Sequence, residues 1–334
     1  MKSRRMKMLW GMLALCLLAL ALTGCGDTGK GSAENNARED KTQTDRKPPL
    51  PEKLNVGEDG MPILRVYITD EEQTREMNLE SYIRGVLAGE MKNDWPLEAL
   101  KAQAILARTF VLKFCTEKES KYDGADISTD IEEAQAYDAT GINDRIEQAV
   151  RETRGQVLSY RGELPYAWFH AHSGGVTERA VEGLHYEGEE PGYTKVTQGR
   201  DSASAPDSAR EWTASFSEQE FLKAAQEAGG KDIKALESVE IGKKGESGRA
   251  VTLRINGESI SAPELRLRLG SSQMRSTLLT DIDIADHQVQ LSGKGYGHGV
   301  GMPQWGAYAL AEEGRSAEEI VTYYFKDVTV ETLW

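Results

Sequence analysis

Glu90 is a charged residue in a place patterned for apolar ones. From Asn78 onward, Leu79, Tyr82, Ile83, Val86, Leu87 and Met91 recur with the 3.6-residue period of a helix. Glu90 falls in the same stripe, three residues beyond Leu87 and four beyond Val86. A buried carboxyl group holds its proton more tightly than one in water, which is what a general acid working near neutral pH requires. The same placement also suits a structural role, a partly buried Glu at a helix end that caps the backbone or pairs with a cation. Lys101 and Arg108 are two such cations. They stand seven residues apart, on one helical face, in a stripe shared with Leu97, Ala104 and Val111. Either they hold a bound substrate or tune Glu90 across a helical hairpin, or they snorkel from the edge of a packed helix.

Two further segments carry chemistry-bearing side chains. In Leu164–Gly175, a strand that runs into a tight turn, His170 and His172 alternate so as to share a face. Such a pair holds a transition metal only with a third ligand, for which His185 and His298 are the candidates. The alternative is a polar pocket with one catalytic-face histidine. The segment Ser292–Ala307 crowds glycines around Tyr296, His298, Gln304 and Trp305. Glycine permits close backbone approach to a ligand. Aromatic rings suit the apolar faces of sugars, and Gln304 can make paired hydrogen bonds to hydroxyls. A purely structural glycine loop ahead of a helix at Ala307–Glu313 is the other reading.

The elements that must position these residues form an α+β fold. A strand over Ile63–Ile68 precedes the first helix, which Asn78 is suited to cap. Asp94, Trp95 and Pro96 open a second helix rich in Ala and Leu. This hairpin, spanning 78–114, is expected to pack on a mixed or antiparallel sheet drawn from strands at 63–68, 156–160, 165–171, 249–256 and 287–292. Residues 213–280 read as a possible smaller lobe. Residues 182–190 and 200–209 read as surface loops.

The N-terminus sets the compartment. Lys2, Arg4, Arg5 and Lys7 precede an apolar run from Met8 to Leu22, about 15 residues and short of the ~20 a membrane span needs. The run ends in Leu22-Thr23-Gly24-Cys25, which resembles a bacterial lipobox, so residues 1–24 are expected to be a lipoprotein signal peptide and Cys25 the lipidation site. An uncleaved signal anchor is the alternative. Both place the body at the outer face of a bacterial cytoplasmic membrane. A polar stretch over 25–60 reads as a tether, and residues 61–334 as the functional domain. Of three cysteines only Cys115 remains in that domain, where a core position is the simplest reading. A net charge of −14 argues against nucleic acid. The glycines near 293–301 do not form a dinucleotide fingerprint, because His298 stands where the third glycine belongs.

Three segments together resemble the stage II sporulation protein D (SpoIID) family. They are Ser81-Tyr82-Ile83-x-Gly85-Val86-x-Ala88-x-Glu90-Met91, the run from Trp95 to Thr109, and Gly295-Tyr296-Gly297-His298-Gly299-Val300-Gly301-Met302-x-Gln304-Trp305-Gly306-Ala307. The resemblance covers about residues 61–330, including Ser247-Gly248-Arg249 and Leu265-Arg266. It implies a lytic transglycosylase that cuts peptidoglycan between N-acetylmuramic acid and N-acetylglucosamine and leaves a 1,6-anhydro sugar. It places that activity in sporulation and engulfment, beside an amidase that strips the stem peptides. It makes Glu90 the catalytic residue, gives Lys101 and Arg108 to the substrate, and sets Tyr193 and Tyr323 in the cleft. With His172, His298 and Gln304 from the histidine and glycine segments, these are the expected substrate-binding residues.

One departure concerns metal. Some members bind zinc through a Cys and a His five residues apart; here Ser128 and Glu133 hold those positions, and Ala134 replaces a further Cys. No zinc or other cofactor is therefore expected. The expected partners are peptidoglycan glycan strands, a cell-wall amidase and the membrane through the lipid anchor. Two other functions stay open: a non-catalytic glycan-binding enhancer of an amidase, and a metal-dependent wall amidase or peptidase built on His170, His172 and His298.

Overall fold

The computed structural model describes residues 46–230 and 232–334. The expected signal segment, Cys25 and most of the tether lie outside the described residues. What is described belongs to one compact unit.

The folded body begins earlier than the polar composition suggested. Pro48, Pro51 and Leu54 are buried, and β1 (Asn55–Val56) pairs antiparallel with β2 (Pro62–Ile68). The expected tether end at residue 60 is corrected accordingly: two prolines and one leucine suffice to dock the segment but set up no period. Strand β2 alternates buried Leu64 and Val66 with exposed Arg65, and β3 (Gln73–Asn78) returns beside it. Asn78 caps α1 (Leu79–Glu90), its side chain accepting from the Ser81 amide at 2.8 Å. Tyr82, Ile83, Val86 and Leu87 have no exposed surface, and each contributes about 1.5–3 kcal/mol of burial. Helix α2 (Leu97–Glu117) follows Pro96 and packs against α1, which completes the expected hairpin.

Beyond the hairpin, β4 (Ile127–Ser128) lies parallel to β2, α3 (Asp144–Glu152) covers α1 and α2, and β5 (Gln156–Ser159) contacts α2. The strand expected over 165–171 reduces to β6 (Phe169–His170). The stretches expected as loops each overlap a short helix, α4 (Ala180–Leu184) and α5 (Asp207–Arg210).

A second hydrophobic core then forms. Strand β7 (Glu211–Ser217) leads to α6 (Glu218–Glu227), β8 (Val239–Ile241), β9 (Thr252–Ile255), β10 (Glu258–Ser261), α7 (Ala262–Leu269), β11 (Leu279–Ala285) and β12 (Gln288–Lys294). Two three-stranded antiparallel sheets, β11-β12-β7 and β10-β9-β8, enclose Phe221, Leu253, Leu265, Val289 and Leu291. This core spans Trp212–Leu291, a longer stretch than the 213–280 read as a possible lobe. Strands β9 and β12 belong to it and not to the sheet beneath the hairpin, which corrects the expected arrangement.

The chain finally re-enters the first core. Strand β13 (Met302–Pro303) pairs parallel with β6, α8 (Gln304–Glu312) and α9 (Ala317–Tyr324) pack on α2, and β14 (Thr329–Thr332) closes against β5. This return sets Gln304 beside the end of α1.

Candidate active site

Glu90 is the last residue of α1 and is partly buried. One carboxylate oxygen accepts the backbone N–H of Ala136 at 2.7 Å. The side-chain amide of Gln304 donates to the other at 3.4 Å and to the Glu90 carbonyl at 3.1 Å. Burial pushes the Glu90 carboxyl up to about 6, and these two neutral donors oppose the rise only in part. The C-terminal end of a helix disfavours negative charge and acts in the same direction as burial. The arrangement is that of a carboxyl group protonated in an appreciable fraction of molecules near neutrality, with its orientation fixed on both oxygens.

Two glycines of α1 make this geometry possible. A Cβ on Gly89 would stand 2.7 Å from the backbone of Ala136, and one on Gly85 would stand 2.2 Å from the Tyr137 ring. The bare strip between them seats the Ala136–Tyr137 backbone directly on the helix. The Asp138 amide donates to the Gly85 carbonyl at 2.9 Å, and the Tyr137 ring stacks on Tyr82. Beyond Ala136 and Tyr137 lies a cleft of about 710 Å³ that also includes Tyr122, Asp70, Asp130 and Asp138. Tyr67 and Tyr122 stack at 4.0 Å on that side.

Other expected site residues stand elsewhere. Arg108 has no exposed surface. Its Nε and Nη2 donate to the two carboxylate oxygens of Glu80 at 3.1 and 2.8 Å, and Nη1 donates to the carbonyls of Ala104 and Gln156. The expectation that Arg108 grips substrate is corrected, because its donors are committed inside the protein. Lys101 is held by Glu98 at 2.7 Å and Glu152 at 2.5 Å, so it ties α2 to α3 and does not stand free for a ligand. Both cations are held by acids of the helical packing.

The histidines divide in the same way. His170 is buried, and its Nδ1–H donates to the Val300 carbonyl at 3.1 Å. The His298 ring lies 5.5 Å away; its Nδ1 accepts the Val300 amide, and burial pushes it down to about 3. His298 is therefore a neutral structural group and not a contact for substrate. His172 uses Nδ1 to accept the Gly174 amide and borders a different pocket, with Asp207, Arg210 and Lys294, that Glu90 does not line. Among the described residues no three of His, Cys, Asp or Glu converge in metal-binding geometry. The glycine segment packs on protein too. At Gly301, where φ is +73°, a Cβ would stand 2.0 Å from the Trp168 carbonyl oxygen. Of that segment, Gln304 is the residue that reaches Glu90.

Tyr193 is buried in a cluster with Tyr160 and Trp168, its hydroxyl accepting the Tyr166 amide at 3.0 Å. Tyr323 borders a separate surface pocket. Neither lines the cleft beyond Ala136 and Tyr137. The Ser128 hydroxyl accepts the Asp130 amide, and Glu133 accepts Ser120 and the Lys121 amide. Sequence reasoning missed the Ala136 amide, which no side chain advertises. The glycine pair at 85 and 89, four apart and so on one helical face, was the available signal.

The site is thus a helical hairpin with Glu90 at its turn, met by Gln304 at the start of the helix that follows the glycine-rich segment. The SpoIID family model, described as stage II sporulation protein, matches residues 67–160, and a domain of unknown function matches 193–301. The chain is 30% identical over 281 residues to stage II sporulation protein D of Bacillus amyloliquefaciens, covering 79% of this chain and 77% of that protein. It is 32% identical over 263 residues to an uncharacterised protein of Brachyspira hyodysenteriae, covering 76% and 67%. It is 29% identical over 293 residues to an amidase enhancer of Bacillus subtilis, covering 74% of this chain and 40% of that protein. The chain belongs to the stage II sporulation protein D (SpoIID) family.

Proposed function

We propose that this protein is a lytic transglycosylase acting on the glycan strands of the cell wall during sporulation, exported and anchored through Cys25 at the outer face of the membrane. The observation that carries the reading is Glu90, one partly buried carboxyl group raised to about 6 and oriented by Ala136 and Gln304. Protonated Glu90 donates to the oxygen linking N-acetylmuramic acid to N-acetylglucosamine, and the C1–O bond breaks. The resulting carboxylate takes the proton of the muramyl 6-hydroxyl as that oxygen bonds to C1. The product is a 1,6-anhydro sugar, water is not consumed, and Glu90 ends protonated as it began. One carboxyl group serves both steps, whereas hydrolytic glycosidases use two.

A second reading is a non-catalytic partner of a wall amidase, which the similarity to an amidase enhancer supports. Digestion of peptide-stripped glycan strands by the full chain, beside Glu90→Gln, separates the two. Anhydro-muramyl ends released by the wild type alone support the transglycosylase. Binding without cleavage by either protein sinks it and leaves the amidase partner.

A further inference from the structure

We propose that the pocket bordered by Lys195 and Tyr323 is a carboxylate-binding site for wall glycan, one that takes an acid borne on a short aliphatic stem such as a lactyl or alanyl group. The proposal rests on the reading of wall glycan as the ligand, not on the cleavage reaction. The pocket, about 420 Å³, is bordered by Lys195, Arg200, Arg315, Glu319, Leu310 and Tyr323, three cations and one acid on a chain of net charge −14. Its volume suits a sugar unit or a dipeptide. It shares no lining residue with the cleft beyond Ala136.

Lys195 is the reason to expect a ligand. Arg200 already holds Glu313 at 2.6 Å, and Arg315 holds Glu319 at 3.1 Å. The half-buried Lys195 ammonium has three N–H donors, and one of them makes a long contact, 3.5 Å, to the Thr322 carbonyl. No carboxylate among the described residues forms an ion pair with it. Asp327 is the acid close enough to influence it, but that residue lies 3.9 Å from the Lys326 ammonium. Burial lowers the Lys195 pKa, so the charge sits where water alone serves it poorly. One uncompensated positive charge matches a monoanion. The Tyr323 ring, 5.9 Å from the ammonium, and the Leu310 side chain supply an apolar wall for a methyl group beside it.

Wall glycan offers such a carboxylate from two sources: the free lactyl group of a peptide-stripped muramyl unit, and the terminal alanine of a stem peptide. Binding of full-length protein carrying Glu90→Gln is measured by calorimetry, with and without Lys195→Gln or Lys195→Arg. The ligands are peptide-stripped strands, the same strands with their lactyl carboxylates converted to amides, and strands retaining stem peptides. The expected result is about tenfold weaker binding for Lys195→Gln on strands with the recognised acid, retention by Lys195→Arg, and no effect of Lys195→Gln on strands that lack it. Sensitivity confined to stripped strands assigns the lactyl source, and sensitivity confined to peptide-bearing strands assigns the alanyl one. Equal affinity of Lys195→Gln and its parent on every ligand overturns the proposal, as does an equal loss on the amidated strands. If Lys195→Gln does not fold, the parent decides: undiminished affinity for amidated, peptide-free strands overturns a lactyl site, and free D-alanyl-D-alanine that fails to compete for peptide-bearing strands overturns an alanyl one. If the wild type proves unable to cut, these binding outcomes stand unchanged.

Discussion

Glu80 and Glu90 lie on one helix, ten residues apart, and both are removed from bulk water, yet the protein treats them oppositely. Glu80 sits in the first turn, where the helix dipole favours a negative charge. Both its oxygens meet Arg108, and the Gly155 amide adds a third donor at 3.0 Å. Glu90 sits in the last turn, where the dipole opposes charge, and it meets two neutral donors and no arginine. The difference teaches that burial alone does not decide how a carboxyl group is held. What matters is whether the neighbours supply a countercharge: Glu80 has one in Arg108, and Glu90 meets only neutral donors.

The contrast can be broken most severely at Glu90. Glu90→Gln keeps the shape and one acceptor oxygen, which can still take the Ala136 amide, but carries no transferable acid proton. Under the proposed function it lowers strand cleavage by about 10²–10⁴-fold, read as released anhydro ends, with an unchanged circular dichroism spectrum. Next comes the other end of the helix. Arg108→Met strands Glu80 without its partner in the interior and is expected to cost about 3–5 kcal/mol in denaturant unfolding. Adding Glu80→Gln to that variant should recover part of the loss. Full additivity of the two changes would show that the pair is not coupled.

The pH dependence sharpens the comparison further. Because folding raises the Glu90 pKa from 4.5 to about 6, the folded state binds that proton more tightly than the unfolded chain. Below 4.5 both states hold it and there is no difference. Between 4.5 and 6 a penalty on the folded state grows, and above 6 it is complete at about 2 kcal/mol. Glu90→Gln should therefore unfold at a higher denaturant concentration than wild type at pH 8, and the gain should vanish near pH 4. The smallest effect is expected at Gln304. Its amide lowers the Glu90 pKa, so Gln304→Ala should shift the falling alkaline limb of the rate profile upward by a few tenths of a pH unit. A downward shift would mean that the glutamine acts otherwise.

Much of this was legible from spacing. The 3.6-residue stripe marked the buried face of α1 and placed Glu90 on it, and Asn78 and Pro96 marked the helix starts. The second hydrophobic core overlaps the run of strands and a helix read at 213–280. Lys101 and Arg108 were recognised as odd cations on a small-residue face, but their partners were not. Glu80 follows Leu79 in a first turn where acids are common, so nothing in its own position marks it as buried. A hydrogen bond from a backbone amide, such as that of Ala136, leaves no trace in residue type. The glycine segment invited a ligand-binding reading because close approach to protein and close approach to sugar require the same bare backbone. Which strands share a sheet was beyond reach, since β9 and β12 alternate as any half-buried strand does.

The hydrogen bond between Glu90 and Gln304 joins residues 214 positions apart. A ribosome at 5–20 residues per second needs on the order of 10–40 s to travel that distance. During that interval the hairpin can form, but the carboxyl group lacks the partner that orients it. A chain interrupted or cleaved within the lobe bears half a site. Under the proposed function the target is the wall the cell itself depends on, and the order of synthesis then acts as a safeguard: the proton-carrying group is made early and oriented late.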